Sequence, residues 1–317
     1  MELLLKLKKN KIVMKMRLLF ILLFSLTLYG NAQSKIIFSR SLGGLNTEET
    51  PGIMIYDTET KSTKLLLKGT VPRRGEYNAV TSLDGSKIIF NTYRFSGWKL
   101  GIADFKNGKI HNVKKLTNRS NYEYNAMFSP DGLHIVYHEY NWNTRNADLF
   151  IADINGKNVK QLTKALGSHR TPDWSKDSKQ IVFASRRDQY YNIYSKGSDG
   201  MHLKRLTDDT SHHFASSTSR KEDRIAFLSN RKGQIHLYVM DLQGKNMMNL
   251  TPKLKTDDFK TKECWAYKTS WSADGKQIVF NIMLEGNLEL FIINSDGSGL
   301  EQITHNNDTD MTPYWMN

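Results

Sequence analysis

A six-bladed β-propeller, an all-β fold with four antiparallel strands in each blade, is the architecture this 317-residue sequence predicts, on three observations. First, a segment ending in Ser-x-Asp-Gly and followed by a β-branched and aromatic triplet recurs along the chain. Second, each repeat unit closes on Leu-Thr or Ile-Thr. Third, the C-terminal residues read like an opening strand that the first unit lacks. Internal repeats of this period are the signature of stacked supersecondary units.

The repeat is explicit. Asn125-Ala126-Met127-Phe128-Ser129-Pro130-Asp131-Gly132 precedes Ile135-Val136-Tyr137, and Thr269-Ser270-Trp271-Ser272-Ala273-Asp274-Gly275 precedes Ile278-Val279-Phe280. Pro172-Asp173-Trp174-Ser175-Lys176-Asp177-Ser178 with Ile181-Val182-Phe183 is a third copy, and Ser82-Leu83-Asp84-Gly85 with Ile88-Ile89-Phe90 a fourth. A degenerate fifth runs Ser219-Arg220-Lys221-Glu222-Asp223 before Ile225-Ala226-Phe227. A third apolar run follows, such as Leu149-Phe150-Ile151 or Leu290-Phe291-Ile292, then a turn such as Asn155-Gly156, Asp199-Gly200 or Asp296-Gly297. The endings Leu116-Thr117, Leu162-Thr163, Leu206-Thr207, Leu250-Thr251 and Ile303-Thr304 are spaced by 46, 44, 44 and 53 residues. Short β-branched runs separated by Asp-Gly and Asn-Gly turns predict antiparallel hairpins. Four such strands in about 45 residues make one blade, which must pack against neighbours to bury both faces.

The chain ends set the count. Lys35-Ile36-Ile37-Phe38-Ser39-Arg40 matches the second strand of a unit, and Thr312-Pro313-Tyr314-Trp315 matches the first-strand sequence Thr171-Pro172-Asp173-Trp174. The C-terminal strand is therefore expected to complete the first blade and close the ring, leaving no open sheet edge. First strands are expected near residues 76, 122, 169, 212, 266 and 310.

Residues 1–32 read as an upstream extension and a secretory leader, and 33–317 as the propeller. A basic stretch ends at Arg17, the apolar run Leu18–Leu28 follows, and small residues precede a cut after Ala32. That run is short for a membrane span, so the mature protein is expected to be periplasmic or secreted, with no spanning segment. The net charge is +13, of which residues 1–32 carry +5, leaving +8 on the remainder. Such a basic surface suits acidic partners, or simply solubility. Cys264 is the one cysteine, so no internal disulfide forms, and a structural role is expected for it. A monomer is expected.

The pattern resembles the TolB-type propeller repeat family over residues 34–317. Phe128-Ser129-Pro130-Asp131-Gly132, Trp271-Ser272-Ala273-Asp274-Gly275 and the Leu-Thr endings carry the resemblance. Two departures stand out. The fifth unit lacks its Asp-Gly turn, and the N-terminal α/β domain of TolB proteins has no counterpart. The resemblance thus speaks to fold rather than to a role in the Tol envelope complex.

The resemblance implies that first strands line a central channel and that the residue opening each one sits at the channel mouth. Aligning the copies gives Glu76, Glu123, His169, His212, Ala266 and Asp310, with His213 interchangeable with His212 because the fifth copy holds an extra residue. The five polar members suit a divalent ion such as manganese, zinc or calcium. They suit equally a hydrogen-bond network around channel water. Loops between second and third strands should open on the same face. They supply Tyr93, Arg94, Phe95, Trp98, Tyr140, Trp142, Arg145, Arg186, Arg187, Tyr190, Tyr191, Arg231 and Lys232. Of these, Trp98, Trp142, Tyr140, Tyr190, Arg186, Arg187 and Arg231 form the expected ligand-binding set. Aromatic faces stack on sugar rings and arginine forks pair with carboxylate or sulfate. The insertion Pro252–Glu263 precedes a first strand and could fold over the mouth.

No Gly-x-Ser-x-Gly elbow, P-loop, His-Glu-x-x-His or paired-cysteine zinc motif occurs in the sequence. The expected function is an exported binding module for a protein or an anionic glycan, not nucleic acid. The alternative is a metal-assisted lyase or hydrolase on acidic oligosaccharides. It rests on a resemblance to the oligogalacturonate lyases at the level of a propeller with a His-bearing channel. That resemblance implies a metal on His169, His212 and Glu123 gripping the uronate carboxylate and acidifying the C5 proton.

Overall fold

The structure, a computed structural model, describes residues 34–43, 49–164, 167–187, 189–207, 210–258 and 265–316. The expected leader with its cut after Ala32, and Cys264, lie outside the described residues. No helix among the described residues is long and apolar enough to cross a membrane.

The described residues form 24 strands. They run β1 (Lys35–Ser41), β2 (Gly52–Asp57), β3 (Ser62–Leu67), β4 (Glu76–Thr81), β5 (Lys87–Thr92), β6 (Lys99–Lys106), β7 (Lys109–Lys115) and β8 (Tyr122–Phe128). Next come β9 (His134–Asn141), β10 (Asn146–Asp153), β11 (Lys160–Gln161), β12 (Ser168–Trp174), β13 (Gln180–Arg186), β14 (Asn192–Gly197), β15 (Lys204–Arg205) and β16 (His213–Thr218). The last are β17 (Arg224–Lys232), β18 (Gln234–Asp241), β19 (Met248–Asn249), β20 (Thr269–Trp271), β21 (Gln277–Leu284), β22 (Asn287–Asn294), β23 (Glu301–Gln302) and β24 (Thr309–Trp315).

Consecutive strands pair antiparallel within β4–β7, β16–β19 and β20–β23, each a four-stranded sheet. A fourth sheet has the order β24-β1-β2-β3, so the C-terminal strand pairs with the N-terminal one. An eight-stranded sheet contains β8–β11 and β12–β15, joined only by the parallel pair Ala147–Ser168. The first strands touch one another in order: β24 with β4, β4 with β8, β8 with β12, β12 with β16, β16 with β20, and β20 with β24.

Each second strand carries the apolar triplet seen in the sequence. Ile36-Ile37-Phe38, Ile88-Ile89-Phe90, Ile135-Val136-Tyr137, Ile181-Val182-Phe183, Ile225-Ala226-Phe227 and Ile278-Val279-Phe280 are all fully buried. Consecutive side chains on a strand point to opposite faces. Burial of all three therefore means that both faces of the sheet are covered. The fourth strands β11 and β15 are exposed.

The recurring motifs have local causes. In the Ser-x-Asp turns the serine hydroxyl bonds the aspartate Oδ1, at 2.6 Å for Ser82–Asp84, 2.5 Å for Ser129–Asp131, 2.6 Å for Ser175–Asp177 and 2.7 Å for Ser272–Asp274. The same Oδ1 accepts a backbone N–H two residues on, and the serine Oγ accepts one five residues on. The degenerate fifth turn does without the carboxylate, because Ser219 Oγ accepts the Lys221 and Glu222 N–H groups itself.

In four of the five endings the threonine accepts an N–H from the third strand. Thr163 takes Leu149, Thr207 takes Ile193, Thr251 takes Leu237 and Thr304 takes Leu290, all at 2.9–3.0 Å. The leucine meets the next unit's turn. A Cβ at Gly156 would stand 1.9 Å from the Leu116 carbonyl oxygen, and Gly156 has φ 77°, so only glycine fits that turn.

Five first strands carry a bulge. The ladder shifts register between Tyr77 and Val80, Tyr124 and Met127, Arg170 and Asp173, and Phe214 and Ser217, and where β24 pairs with β1. At each bulge one residue has positive φ: Asn78, Asn125, Thr171, Ala215 and Thr312, between 47° and 53°. An extra residue there bends the strand and re-aims its side chains. The sixth first strand begins at Thr269 rather than near 266. The Asn281 side chain bonds both the Ala266 carbonyl and the Lys268 N–H, replacing ladder partners there.

Candidate functional site

The opening residues are buried, and Glu76, Glu123, His169 and Asp310 bond neighbouring side chains. Glu76 is fully buried and its Oε1 accepts Arg94 Nε at 2.8 Å. Asp310 is fully buried and holds Arg40 through two 2.7 Å hydrogen bonds. Glu123, equally buried, accepts the Thr117 hydroxyl from the Leu-Thr ending of the preceding unit. Burial pushes all three carboxyls above their ordinary range, against the pull of these partners. His169 bonds Ser185 Oγ through Nδ1 at 2.8 Å, and burial, helped by Arg187 and Lys196, holds it down to about 4.

The fifth position is His213, not His212. The positive-φ residue falls two places after Glu76, Glu123, His169 and Asp310, and Ala215 falls two places after His213. His212 precedes the strand, accepts the Tyr191 N–H at 3.2 Å and packs its ring 5.2 Å from Tyr190. Among the described residues no group of three or more His, Cys, Asp or Glu gathers closely enough to hold a metal ion.

The residues one and two places further along do converge. A cavity of about 460 Å³ is lined by Tyr77 and Asn78 of β4, Tyr124 and Asn125 of β8, and Arg170 and Thr171 of β12. Asn91, Trp98, His138, Tyr140, Trp142, Ala147, Arg73 and Trp265 complete its wall. The rings form a continuous aromatic wall. Trp98 lies 5.5 Å from Tyr77 and 6.1 Å from Tyr124, and Tyr77 lies 5.9 Å from Trp265 in an edge-on contact. Tyr124 stacks on His138 at 5.3 Å, and Tyr140 meets Trp142 edge-on at 4.8 Å. Trp142 and Trp265 remain exposed at the rim.

Among the described residues two arginines, Arg73 and Arg170, line the cavity and no aspartate or glutamate does. The nearby carboxylates are engaged elsewhere: Glu76 with Arg94, and Glu139 with Arg119 at 2.8 Å. Three polar atoms at the wall have no hydrogen-bond partner, namely Asn78 Oδ1, His138 Nδ1 and Thr171 Oγ1. His138 is held far below its ordinary value, to about 3, by burial and by the Arg170 and His169 charges, so it is neutral at physiological pH.

Of the seven expected ligand-binding residues, Trp98, Tyr140 and Trp142 line the cavity, and Tyr190, Arg186, Arg187 and Arg231 do not. Those four serve local packing. Arg186 lies over Tyr191, Arg187 over Tyr194 and Arg231 over Tyr238. The residues the alignment missed are its immediate successors, Tyr77, Asn78, Tyr124, Asn125, Arg170 and Thr171. Period-two alternation was the available signal, since a buried opening residue sends its successor to the other face. The insertion before the sixth unit begins against the β16–β19 and β20–β23 sheets, where Thr256 bonds Gln234 and Ile235 and Asp257 accepts the Glu285 and Gly286 N–H groups. Residues 259–264 lie outside the described residues, and Trp265 then joins the cavity wall.

Antiparallel sheets repeating in step, with their first strands side by side, define a repeat protein of the β-propeller class. The sequence matches the TolB beta propeller domain over residues 30–261, and the chain belongs to that family. TolB from Acinetobacter baumannii is similar in structure, with a TM-score of 0.70 at 19% identity over 90% of this chain and 67% of that one. Hydrazine synthase of Kuenenia stuttgartiensis gives 0.66 at 14% identity over 88% of this chain and 46% of that one. A chain of the nidogen/laminin complex gives 0.65 at 9% identity over 88% and 97%. Likeness at these identities is one of fold. No curated protein sequence matches the chain.

Proposed function

We propose that this protein is an exported binding module, a closed six-bladed propeller whose aromatic cavity at the channel mouth takes an anionic glycan. The cycle of first-strand contacts and the β24–β1 pairing support the closed ring. The sequence features of residues 1–32 support export to the periplasm or beyond, with the mature chain starting near residue 33. The single observation that carries the ligand class is the lining itself: among the described residues it combines seven aromatic or imidazole rings, two arginines, three asparagines and a threonine, with no carboxylate. Flat rings match the apolar faces of sugar rings, amides and hydroxyls match sugar hydroxyls, and a guanidinium pairs with a carboxylate or sulfate. The volume lies at the small end of ligand sites, which suits a short glycan end rather than a long stretch.

The lyase alternative needs its opening residues to face the ligand. The hydrogen bonds of Glu76, Asp310 and His169 within their own sheets favour the binding reading. The test is titration of the mature protein with acidic oligosaccharides, followed by tryptophan fluorescence. Saturable quenching that disappears in Trp98→Ala supports the reading. An unresponsive protein that instead retains a peptide or protein partner through the same tryptophan would overturn the glycan assignment.

A further inference from the structure

Arg170 and Thr171 occupy the bulge of β12, which differs in chemistry from the bulges of β4 and β8; β24 also carries a threonine, Thr312, but its hydroxyl is hydrogen-bonded to Ser39 Oγ at 2.9 Å. In β4 and β8 the positive-φ position holds asparagine, which tolerates left-handed backbone. Here it is threonine at φ 47°, a β-branched residue for which that region is strained. Strain of this sort persists where surrounding structure enforces it, and it collects at ligand sites. The Thr171 hydroxyl has no hydrogen-bond partner, although its residue is partly buried in the cavity wall.

Arg170 is the matching charge. Its side chain makes one 3.3 Å hydrogen bond to Ser168 Oγ and lies 5.9 Å from the Tyr191 ring centroid. No carboxylate among the described residues pairs with it, whereas Arg40, Arg94, Arg119 and Arg220 each hold an acidic partner at 2.6–2.8 Å. The wall it shares with Thr171 includes His138, which is 7% exposed and leaves Nδ1 unpartnered, and Tyr124 stacked on that imidazole. Asn78, 6% exposed, presents an unpartnered Oδ1. An unpaired buried polar atom is costly, so a site with three of them is shaped for a ligand or ordered water that supplies the partners.

We infer that Arg170, Thr171, His138 and Asn78 form a subsite for one terminal sugar acid, a pyranose ring bearing a carboxylate. Arg170 takes the carboxylate and the other three take the ring hydroxyls. This rests on the glycan reading and adds to it the identity and position of the charged ring. Tyr124 and Trp98 supply the faces against which the ring lies. Because His138 is neutral, the subsite carries a single positive charge and discriminates by planar two-point pairing, which suits a carboxylate.

The experiment measures affinities for glucuronate, glucose and trigalacturonate by calorimetry, on the mature chain and on Arg170→Gln, Arg170→Lys, Thr171→Gly and Arg73→Gln. The inference expects the acidic ligands to bind the wild-type protein and glucose to bind at least tenfold more weakly. Arg170→Gln should erase that preference, and Arg170→Lys should restore part of it. Thr171→Gly should weaken binding a few-fold while raising the melting temperature, because it removes the hydroxyl and relieves the strain together. If acidic glycans bind but Arg170→Gln keeps the preference and Arg73→Gln loses it, the subsite is misplaced while the glycan reading stands. If no glycan binds the correctly folded wild-type protein, both fall.

Discussion

Glu76 and Tyr77 are neighbours in sequence and belong to different worlds: Glu76 is fully buried against Arg94, and Tyr77 lines the cavity beside Trp98 and Trp265. The two should separate in experiment. Glu76→Ala should cost about 2 kcal/mol of stability, because it leaves Arg94 without its partner, and should leave ligand affinity nearly unchanged. Tyr77→Ala should lower affinity for an acidic oligosaccharide by about tenfold with a smaller loss of stability. Chemical denaturation and titration of the two variants check both halves.

The turn motif gives a second contrast. Asp131 accepts both the Ser129 hydroxyl and the Leu133 N–H, so Asp131→Ala should destabilise by about 1 kcal/mol. Asp223, in the degenerate turn, makes only an exposed 3.1 Å pair with Lys176, and Asp223→Ala should cost less than about 0.5 kcal/mol. Thermal melts of the two variants side by side decide this.

His169 predicts an acid sensitivity with a definite sign. Its folded value of about 4 lies below the ordinary 6.5, so between those values the unfolded chain binds a proton that the native one does not. Stability from this group is full above pH 6.5 and is lost as pH falls toward 4, by up to about 3 kcal/mol. The raised carboxyls Glu76, Glu123 and Asp310 act in the opposite sense, since the native state keeps their protons longer as pH rises. The difference between wild type and His169→Asn therefore isolates the histidine. The expected result is that wild type loses more stability than the variant between pH 6.5 and 4.

Lys268 is buried with its ammonium 5.4 Å from the Tyr314 ring centroid, and burial brings it from 10.5 down to about 8. Holding that charge is unfavourable, so Lys268→Met should stabilise the protein at pH 7 by about 2 kcal/mol. Between pH 8 and 10.5 the unfolded lysine keeps a proton that the native one releases, so wild-type stability from this group rises with pH. The advantage of Lys268→Met should shrink over that window, as denaturation curves at pH 7, 9 and 10 would show.

Much of this architecture was legible. The Ile-Ile-Phe triplets, the Ser-x-Asp-Gly turns and the Leu-Thr endings each act within a few residues or against the adjoining strand, so they leave a periodic trace. The matching of Thr312-Pro313-Tyr314-Trp315 to Thr171-Pro172-Asp173-Trp174 likewise anticipated that β24 would lie beside β1. The candidate site was legible only to within one residue. The alignment pointed to the opening residues of six strands, and three of those strands, β4, β8 and β12, line the cavity with the next residues along, Tyr77, Tyr124 and Arg170, instead of Glu76, Glu123 and His169. Charged side chains looked like ligands because the pattern does not show which partner each one takes: Arg40 and Asp310 are 270 residues apart, while Arg94 lies 18 residues from Glu76.

By itself, the sequence determined the strands, their turns and the order in which they pair, because those depend on alternation, turn stereochemistry and hydrogen bonds between near neighbours. Tertiary structure alone decided which side chains share the cavity. The bulges at Asn78, Asn125 and Thr171 re-aim the strands, and the carboxylates find arginines and hydroxyls inside the sheets. What lines the cavity is an aromatic wall with two arginines. That outcome depends on the packing of several units around one space, which no single stretch of chain encodes.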